Sequence, residues 1–316
     1  MLRPPSLKRG DVVRIVAPSS PFDAEPFEMG LAVLQDRLGL RPRFREDIFA
    51  RHEYLAGDDV RRLAEWHEAT SDPEARAVWC ARGGYGAMRL LPRLEVARAF
   101  HPAKVVVGFS DITALHAVLN RAGLVTVHGP VVTQLSRLGP ESLDHLEGLL
   151  FGGTPPIADR RALTPPPGRG VVAGAVIRPG LASGPLLGGS LTVLSHLCGT
   201  PWQPRLTGAV VFLEDVAERP YRIDRMLTQL RLSGALDRVA GICLGQFTNC
   251  DDANLSGLEV ARRVAWDLGV PAVEGVPAGH EDVNLALPFG SVVTVVAPRA
   301  PGEGPPRLAF EQGATT

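Results

Sequence analysis

Short β-branched runs recur along the first half of the chain, and each leads through a turn into a stretch of helical spacing. Residues 11–18 (DVVRIVAP) form the first run, which stops at Ser19, Ser20 and Pro21. Phe27, Leu31, Leu34 and Leu38 then share one helical face that ends at Gly39, a favoured C-terminal signal. Asp58 suits the N-cap of a second helix, whose apolar face is predicted at Val60, Leu63, Ala64 and His67. Residues 77–81 run into Arg82-Gly83-Gly84-Tyr85-Gly86. Residues 104–108 run into Phe109-Ser110-Asp111, before a helix marked by Ala114, Leu115, Val118 and Leu119. With a further run at 125–127, the alternation predicts a parallel sheet covered by helices on both faces. Functional loops in such a sheet lie beyond the carboxyl ends of the strands, so the glycine loop and the Ser110 turn become neighbours if their strands pair.

Ser110 is predicted at a strand-to-helix corner, where a side-chain oxygen stands above the sheet edge beside unpaired amides of the helix N-terminus. That geometry is similar to the nucleophile elbow of serine hydrolases, although the second elbow glycine, two residues on, is Ile112 here. A helix-capping serine satisfies the same local pattern. The glycine loop is open to three readings. As a dinucleotide fingerprint it fails, because Arg89 stands where the third small residue belongs and the loop does not follow the first strand. As a tight turn it needs glycine for backbone freedom alone. As part of a site it lets amides approach a developing oxyanion.

Residues 152–170 (GGTPPIADRRALTPPPGRG) hold five prolines and four glycines and cannot form a buried helix or a central strand. They read as a linker between an N-terminal parallel-sheet α/β domain, 1–151, and a mixed α/β C-terminal domain, 171–316. In the second domain, helices are predicted from about Ser190, from about Tyr221 and over 259–268, with strands over 209–213, 241–247, 292–297 and 308–310. A formal charge of −1 provides no field to attract nucleic acid or an anionic membrane. Lys8 and Lys104 are the only lysines, and neither stands at P-loop spacing, which argues against a Walker-type nucleotidase. Cys80, Cys198, Cys243 and Cys250 lack C-x-x-C spacing and read as free thiols of a reducing compartment. Without a signal-peptide pattern or an apolar run of ~18 residues, the expectation is a soluble cytoplasmic protein.

A serine hydroxyl needs a base, and the base needs a third group to orient it. His67, His145 and His196 lie in helical patterns, His101 precedes a proline, and His52 lies in a polar loop. His116 follows Ser110 on the same helix and is expected to face away from it, whereas His128 ends a strand and is placed to line a site. His280 stands in PAGHEDVN, a loop that no periodicity claims, which suits a solvated histidine or a base. Glu214 and Asp215 end the strand VVFL. A carboxylate there can fix a histidine tautomer or simply face solvent.

Several stretches now combine: VVRIVAPSSP, ARGGYGAMRLLP, VVGFSDITALH, TVHGP, GPLLGGSLTVLSHLCGTPW, VVFLEDVAERPYRIDRMLTQL, GICLGQF and GVPAGH. In this order, along nearly the whole chain, they resemble the L,D-carboxypeptidases, a family that also includes the microcin C self-resistance hydrolases. The resemblance implies Ser110 as nucleophile, Glu214 as acid and His280 as base, with the backbone amides of Asp111 and Gly84 as oxyanion hole. A two-domain fold with the site between domains, a homodimer, and chemistry without metal or organic cofactor are implied as well. The implied substrate is a small peptide cut between an L-centre and a terminal D-residue, as when D-alanine is released from murein tetrapeptide during wall recycling. The self-resistance branch cuts aminoacyl or peptidyl nucleotides instead, and residues 155–188 offer no aromatic platform for a base, which favours the murein branch. A non-catalytic small-ligand binding protein using the same cleft is the reading from another class. By location, Arg82 and Arg89 are placed to meet a substrate carboxylate, and Arg82, Tyr85 and His128 to line the substrate site.

Overall fold

The computed structural model describes residues 1–152 and 170–316, so residues 153–169 of the expected linker lie outside the described residues. The first half supplies strands β1 (Val12–Val16), β2 (Arg41–Arg43), β3 (Ala75–Cys80), β4 (Val105–Gly108) and β5 (Thr126–His128). The second half supplies β6 (Gly170–Val172), β7 (Ala175–Arg178), β8 (Gly180–Ser190), β9 (Val210–Val216) and β10 (Gly241–Thr248). It continues with β11 (Ala272–Glu274), β12 (Leu287–Phe289), β13 (Val292–Ala297) and β14 (Arg307–Phe310). Two helix-covered sheets result, an α/β architecture. The first has the order β12-β5-β4-β3-β1-β2 and is parallel except for β12. The second has the order β6-β14-β13-β8-β9-β10-β11-β7, with parallel β8 to β11 at its centre and antiparallel strands at both margins.

Strands β3 and β4 pair directly, Trp79 opposite Val107, so the glycine loop and the Ser110 turn leave one sheet edge side by side. On the other flank of β3 lies β1, which brings Ser19 and Ser20 alongside them. The two halves interlock. Although it lies late in sequence, β12 closes the first sheet against β5. One apolar cluster runs from Trp79 and Val107 through Phe212 and Phe289 to Phe310. Asn120 Nδ2 donates to the Phe289 carbonyl at 3.2 Å, and the Ser190 amide donates to Thr113 Oγ1 at 3.0 Å. No helix among the described residues is long and apolar enough to cross a membrane.

The helix Asp59–Ser71 starts at the expected cap, where the Asp58 side chain accepts from the Arg61 amide at 2.7 Å. Its buried face differs from the expected one. Val60 is 65% exposed, whereas Arg62, Glu65, Trp66 and Ala69 point inward. Arg62 donates to the carbonyls of Pro18 and Gly86, while Glu65 accepts from the Ala17 amide at 2.6 Å and pairs with Arg61 at 2.9 Å. Those backbone groups sit at strand ends where the sheet offers no partner, and buried charges satisfy them.

Strand β8 was not foreseen, since its sequence GLASGPLLGGS is rich in glycine and carries no β-branched run. Its glycines serve close approach. Gly188, at φ +140°, lies so near β9 that a Cβ there would stand 1.9 Å from the Phe212 carbonyl oxygen. Gly188→Ala is therefore expected to destabilise the fold by about 2–4 kcal/mol, read in urea as a lower midpoint at unchanged slope.

Candidate active site

At the end of β4, Ser110 opens a short 3-10 turn (Ser110–Ile112) that leads into the helix Thr113–Arg121. Ser110 holds φ +63°, a left-handed conformation that costs a non-glycine residue on the order of 1–3 kcal/mol. Gly83 packs directly against it, and a Cβ there would lie 2.9 Å from the Ser110 Cβ. Among the described residues, neither the Gly84 amide nor the Asp111 amide has a hydrogen-bond acceptor. The Asp111 carboxylate turns inward instead, 4% exposed, and its Oδ2 accepts from Ser19 Oγ at 2.6 Å and from the Ala87 amide at 2.8 Å. Burial pushes this carboxyl up, while those donors and the nearby Arg62 charge pull against it. Ser20 clips the glycine loop from the other side, its Oγ accepting from the Tyr85 amide at 3.1 Å and its amide donating to the Gly83 carbonyl at 3.2 Å.

The acidic pair that ends β9 is buried, Glu214 at 0% and Asp215 at 4% exposure, because β9 is a central strand of its sheet. His280 Nδ1 donates to Glu214 Oε2 at 2.8 Å. The bond puts a proton on Nδ1 and leaves the Nε2 lone pair free. Gly279, at φ +142°, makes this approach possible, since a Cβ there would come within 3.2 Å of Glu214 Oε2. The loop is tied down on both sides. The Gly279 amide donates to Asn284 Oδ1 (3.1 Å), Asn284 donates to Gln134 Oε1 (2.9 Å), and Gln246 engages the Glu281 amide and the Val283 carbonyl. The rings of Phe109 and His280 lie 4.8 Å apart. Burial alone would depress the His280 pKa, but the Glu214 hydrogen bond and the charges of Glu214 and Asp215 outweigh it and raise it above 6.5. Asp215 is itself pushed up to about 6 by burial and by Glu214, against three donors from Thr192 and Val216.

Ser110 and His280 line one cleft of about 380 Å³, together with Arg82, Gly84 and Arg137. Three expected side chains stand elsewhere. Tyr85 sets its ring edge-on against Tyr54 (centroids 5.6 Å), and Arg89 pairs with Asp59 at 2.9 Å. His128 is fully buried among Phe109, Phe212 and Phe289, and among the described residues neither ring nitrogen has a partner, so it is a core residue. The sequence reading missed Ser19, Gln134, Asn284 and Arg137. Ser19 and Asn284 lie within stretches that drew attention for other residues, whereas Gln134 lies in a helix, Val132–Leu135, too short to show any periodicity, and Arg137 lies just beyond it.

Comparison with known proteins identifies the family. Residues 13–129 match the LD-carboxypeptidase N-terminal domain, and residues 183–295 match the LD-carboxypeptidase C-terminal domain. The chain belongs to the LD-carboxypeptidase family. Murein tetrapeptide carboxypeptidase of Pseudomonas aeruginosa is 34% identical to this family member over 299 residues, 90% of this chain and 92% of that one. The crystal structure of muramoyltetrapeptide carboxypeptidase from Oxalobacter formigenes superposes with a TM-score of 0.80 at 28% identity, covering 95% of this chain and 98% of that one. The microcin C7 self-immunity protein shares the fold, with a TM-score of 0.82 at 23% identity over 99% of both chains.

In this LD-carboxypeptidase family member, the His280 imidazole is expected to titrate by NMR with a midpoint above 6.5. Glu214→Gln removes the charge and the strong acceptor, so the midpoint is expected to fall below that of the wild type. An unmoved midpoint would show that the contact with Glu214 does not set the basicity of His280.

Proposed function

We propose that this protein is a serine L,D-carboxypeptidase that removes a terminal D-residue, D-alanine, from murein tetrapeptide, with Ser110, His280 and Glu214 as its triad. The observation that carries the reading is the buried Glu214–His280 hydrogen bond behind a cleft that Ser110 also lines. The full-length likeness to the murein tetrapeptide carboxypeptidase of Pseudomonas aeruginosa supports the substrate. Glu214 keeps the proton on Nδ1, so Nε2 takes the Ser110 proton as Oγ attacks the amide carbonyl. The Gly84 and Asp111 amides receive the oxyanion, at no cost in reorganisation, because Ser19, Ser20 and the Asp111 carboxylate already fix their loops. Nε2–H then protonates the leaving amine as the C–N bond breaks. Water, deprotonated by the same nitrogen, attacks the acyl ester, leaving a new carboxylate on the tripeptide and restoring the Ser110 hydroxyl. A cytoplasmic location, supported by four thiols without C-x-x-C spacing, and a homodimer, supported by the family resemblance, complete the proposal.

The same chemistry on an aminoacyl or peptidyl nucleotide is the second reading, favoured by the shared fold of the microcin C7 self-immunity protein. The absence of Trp, Tyr and Phe from residues 155–188 counts against it.

Ser110→Ala is expected to lower tetrapeptide turnover by a factor on the order of 10³–10⁶ while preserving the circular dichroism spectrum. Near-normal hydrolysis by this variant would remove the assignment. Mass spectrometry after incubation with murein tetrapeptide, and separately with a glutamyl-sulfamoyl nucleotide, is expected to show cleavage of the first. Cleavage of the second alone would transfer the protein to the self-resistance reading. A protein that cuts neither and takes no fluorophosphonate label at Ser110 is a binding protein.

A further inference from the structure

Among the described residues six polar side chains line the cleft of Ser110 and His280, and three of them are engaged by neighbouring protein groups. Thr133 Oγ1 donates to the Ala81 carbonyl at 3.1 Å. Gln134 uses both ends of its amide, donating to the Glu281 carbonyl at 3.4 Å and accepting from Asn284 at 2.9 Å. Arg82 donates to the Pro21 carbonyl. Three groups have no partner at all among the described residues: the Ser110 hydroxyl, Nε2 of His280, and the guanidinium of Arg137, whereas Arg82 is tied through Nη1. The first two are the groups that the proposed chemistry consumes. The third is a permanent cation in a cleft whose lining, among the described residues, includes no aspartate or glutamate. Arg137 is solvent-exposed, just beyond the helix Val132–Leu135, so no internal contact accounts for it.

A carboxypeptidase must distinguish a chain terminus from an internal residue, and the distinguishing group is a free carboxylate. Arginine matches that group with two parallel N–H···O bonds, a geometry that lysine does not reproduce. We propose that Arg137 binds the terminal carboxylate of the D-residue that leaves, and so restricts the enzyme to chain ends. The proposal rests on the carboxypeptidase reading above. The leaving residue lies with its amide nitrogen at His280 and its carboxylate at Arg137, while the acyl part stays on Ser110.

The test compares wild type, Arg137→Gln, Arg137→Lys and Arg82→Gln on two tetrapeptides, one ending in a free carboxylate and one in a carboxamide. Arg137→Gln is expected to lose on the order of 10–100-fold in kcat/KM on the acid, mainly through KM, and little on the amide. Arg137→Lys is expected to fall between, and Arg82→Gln to keep the preference for the acid. Calorimetric binding of both peptides in a Ser110→Ala background gives the same comparison without turnover. An unchanged acid-to-amide ratio in Arg137→Gln, while the wild type cleaves the acid, overturns the role of Arg137 and leaves the carboxypeptidase reading standing. Equal losses on both peptides also overturn it, since they mark a structural effect. Failure of the wild type to cleave either peptide overturns both.

Discussion

One buried carboxylate holds the reactive edge of the first sheet together. Asp111 belongs by its backbone to the turn of Ser110, and by its Oδ2 it accepts from Ser19 after β1 and from Ala87 at the end of the glycine loop. Loops from three adjacent parallel strands thus meet at a single oxygen. Hydrogen bonds to a charged acceptor contribute about 1.5–3 kcal/mol each, enough to offset the left-handed conformation of Ser110, which costs about 1–3 kcal/mol. A buried carboxylate is costly without a counter-charge. Arg62, fully buried behind it, supplies one and at the same time binds the Pro18 and Gly86 carbonyls of two of those loops. Strain, charge and loop position are coupled here, and removing one partner exposes the cost of the others.

The acid and the base arrive from the second sheet, and the interlocking of the halves sets where they stand. Glu214 is fixed by its place in a central strand. His280 depends on a loop whose anchor, Asn284, reaches across to Gln134 on the first half. Just after that anchor, the chain enters β12 and joins the first sheet. The placement of His280 relative to Ser110 therefore depends on buried strand pairing and a continuous apolar cluster.

How much of this was legible depended on whether local pattern and tertiary environment agreed. The runs VVRIV and VVVG announced buried parallel strands because both faces of such strands are apolar, and they located the reactive edge. The helix Asp59–Ser71 misled, because its inward face carries Arg62 and Glu65, which bond to backbone groups distant in sequence that the sheet does not pair. In β8 the usual turn residues permit close strand approach, and β12 is too short for any period to show. The local pattern at Ser110 suited an elbow nucleophile and a helix cap equally, since what distinguishes them is the company of His280 in three dimensions. For Glu214 the residues alone left a histidine partner and a solvated acidic pair both open, because nothing local reveals that β9 lies at the centre of a sheet.

Three histidines show what a single contact decides. His116, His128 and His280 form a chain through Phe109, with ring centroids 6.4 Å apart for His116 and His128, 5.9 Å for His128 and Phe109, and 4.8 Å for Phe109 and His280. Burial drives His116 down to about 4, although the Gly108 carbonyl opposes it, and drives His128 well below its ordinary range. His280 moves upward despite its own burial, because Glu214 is hydrogen-bonded to it and Asp215 adds a second charge. The two deeper imidazoles are neutral at physiological pH, so no positive charge behind Phe109 opposes the effect of the carboxylates. Of the three rings, the one that lines the cleft of Ser110 is thus the one whose pKa is raised, and the Glu214 carboxylate makes the difference.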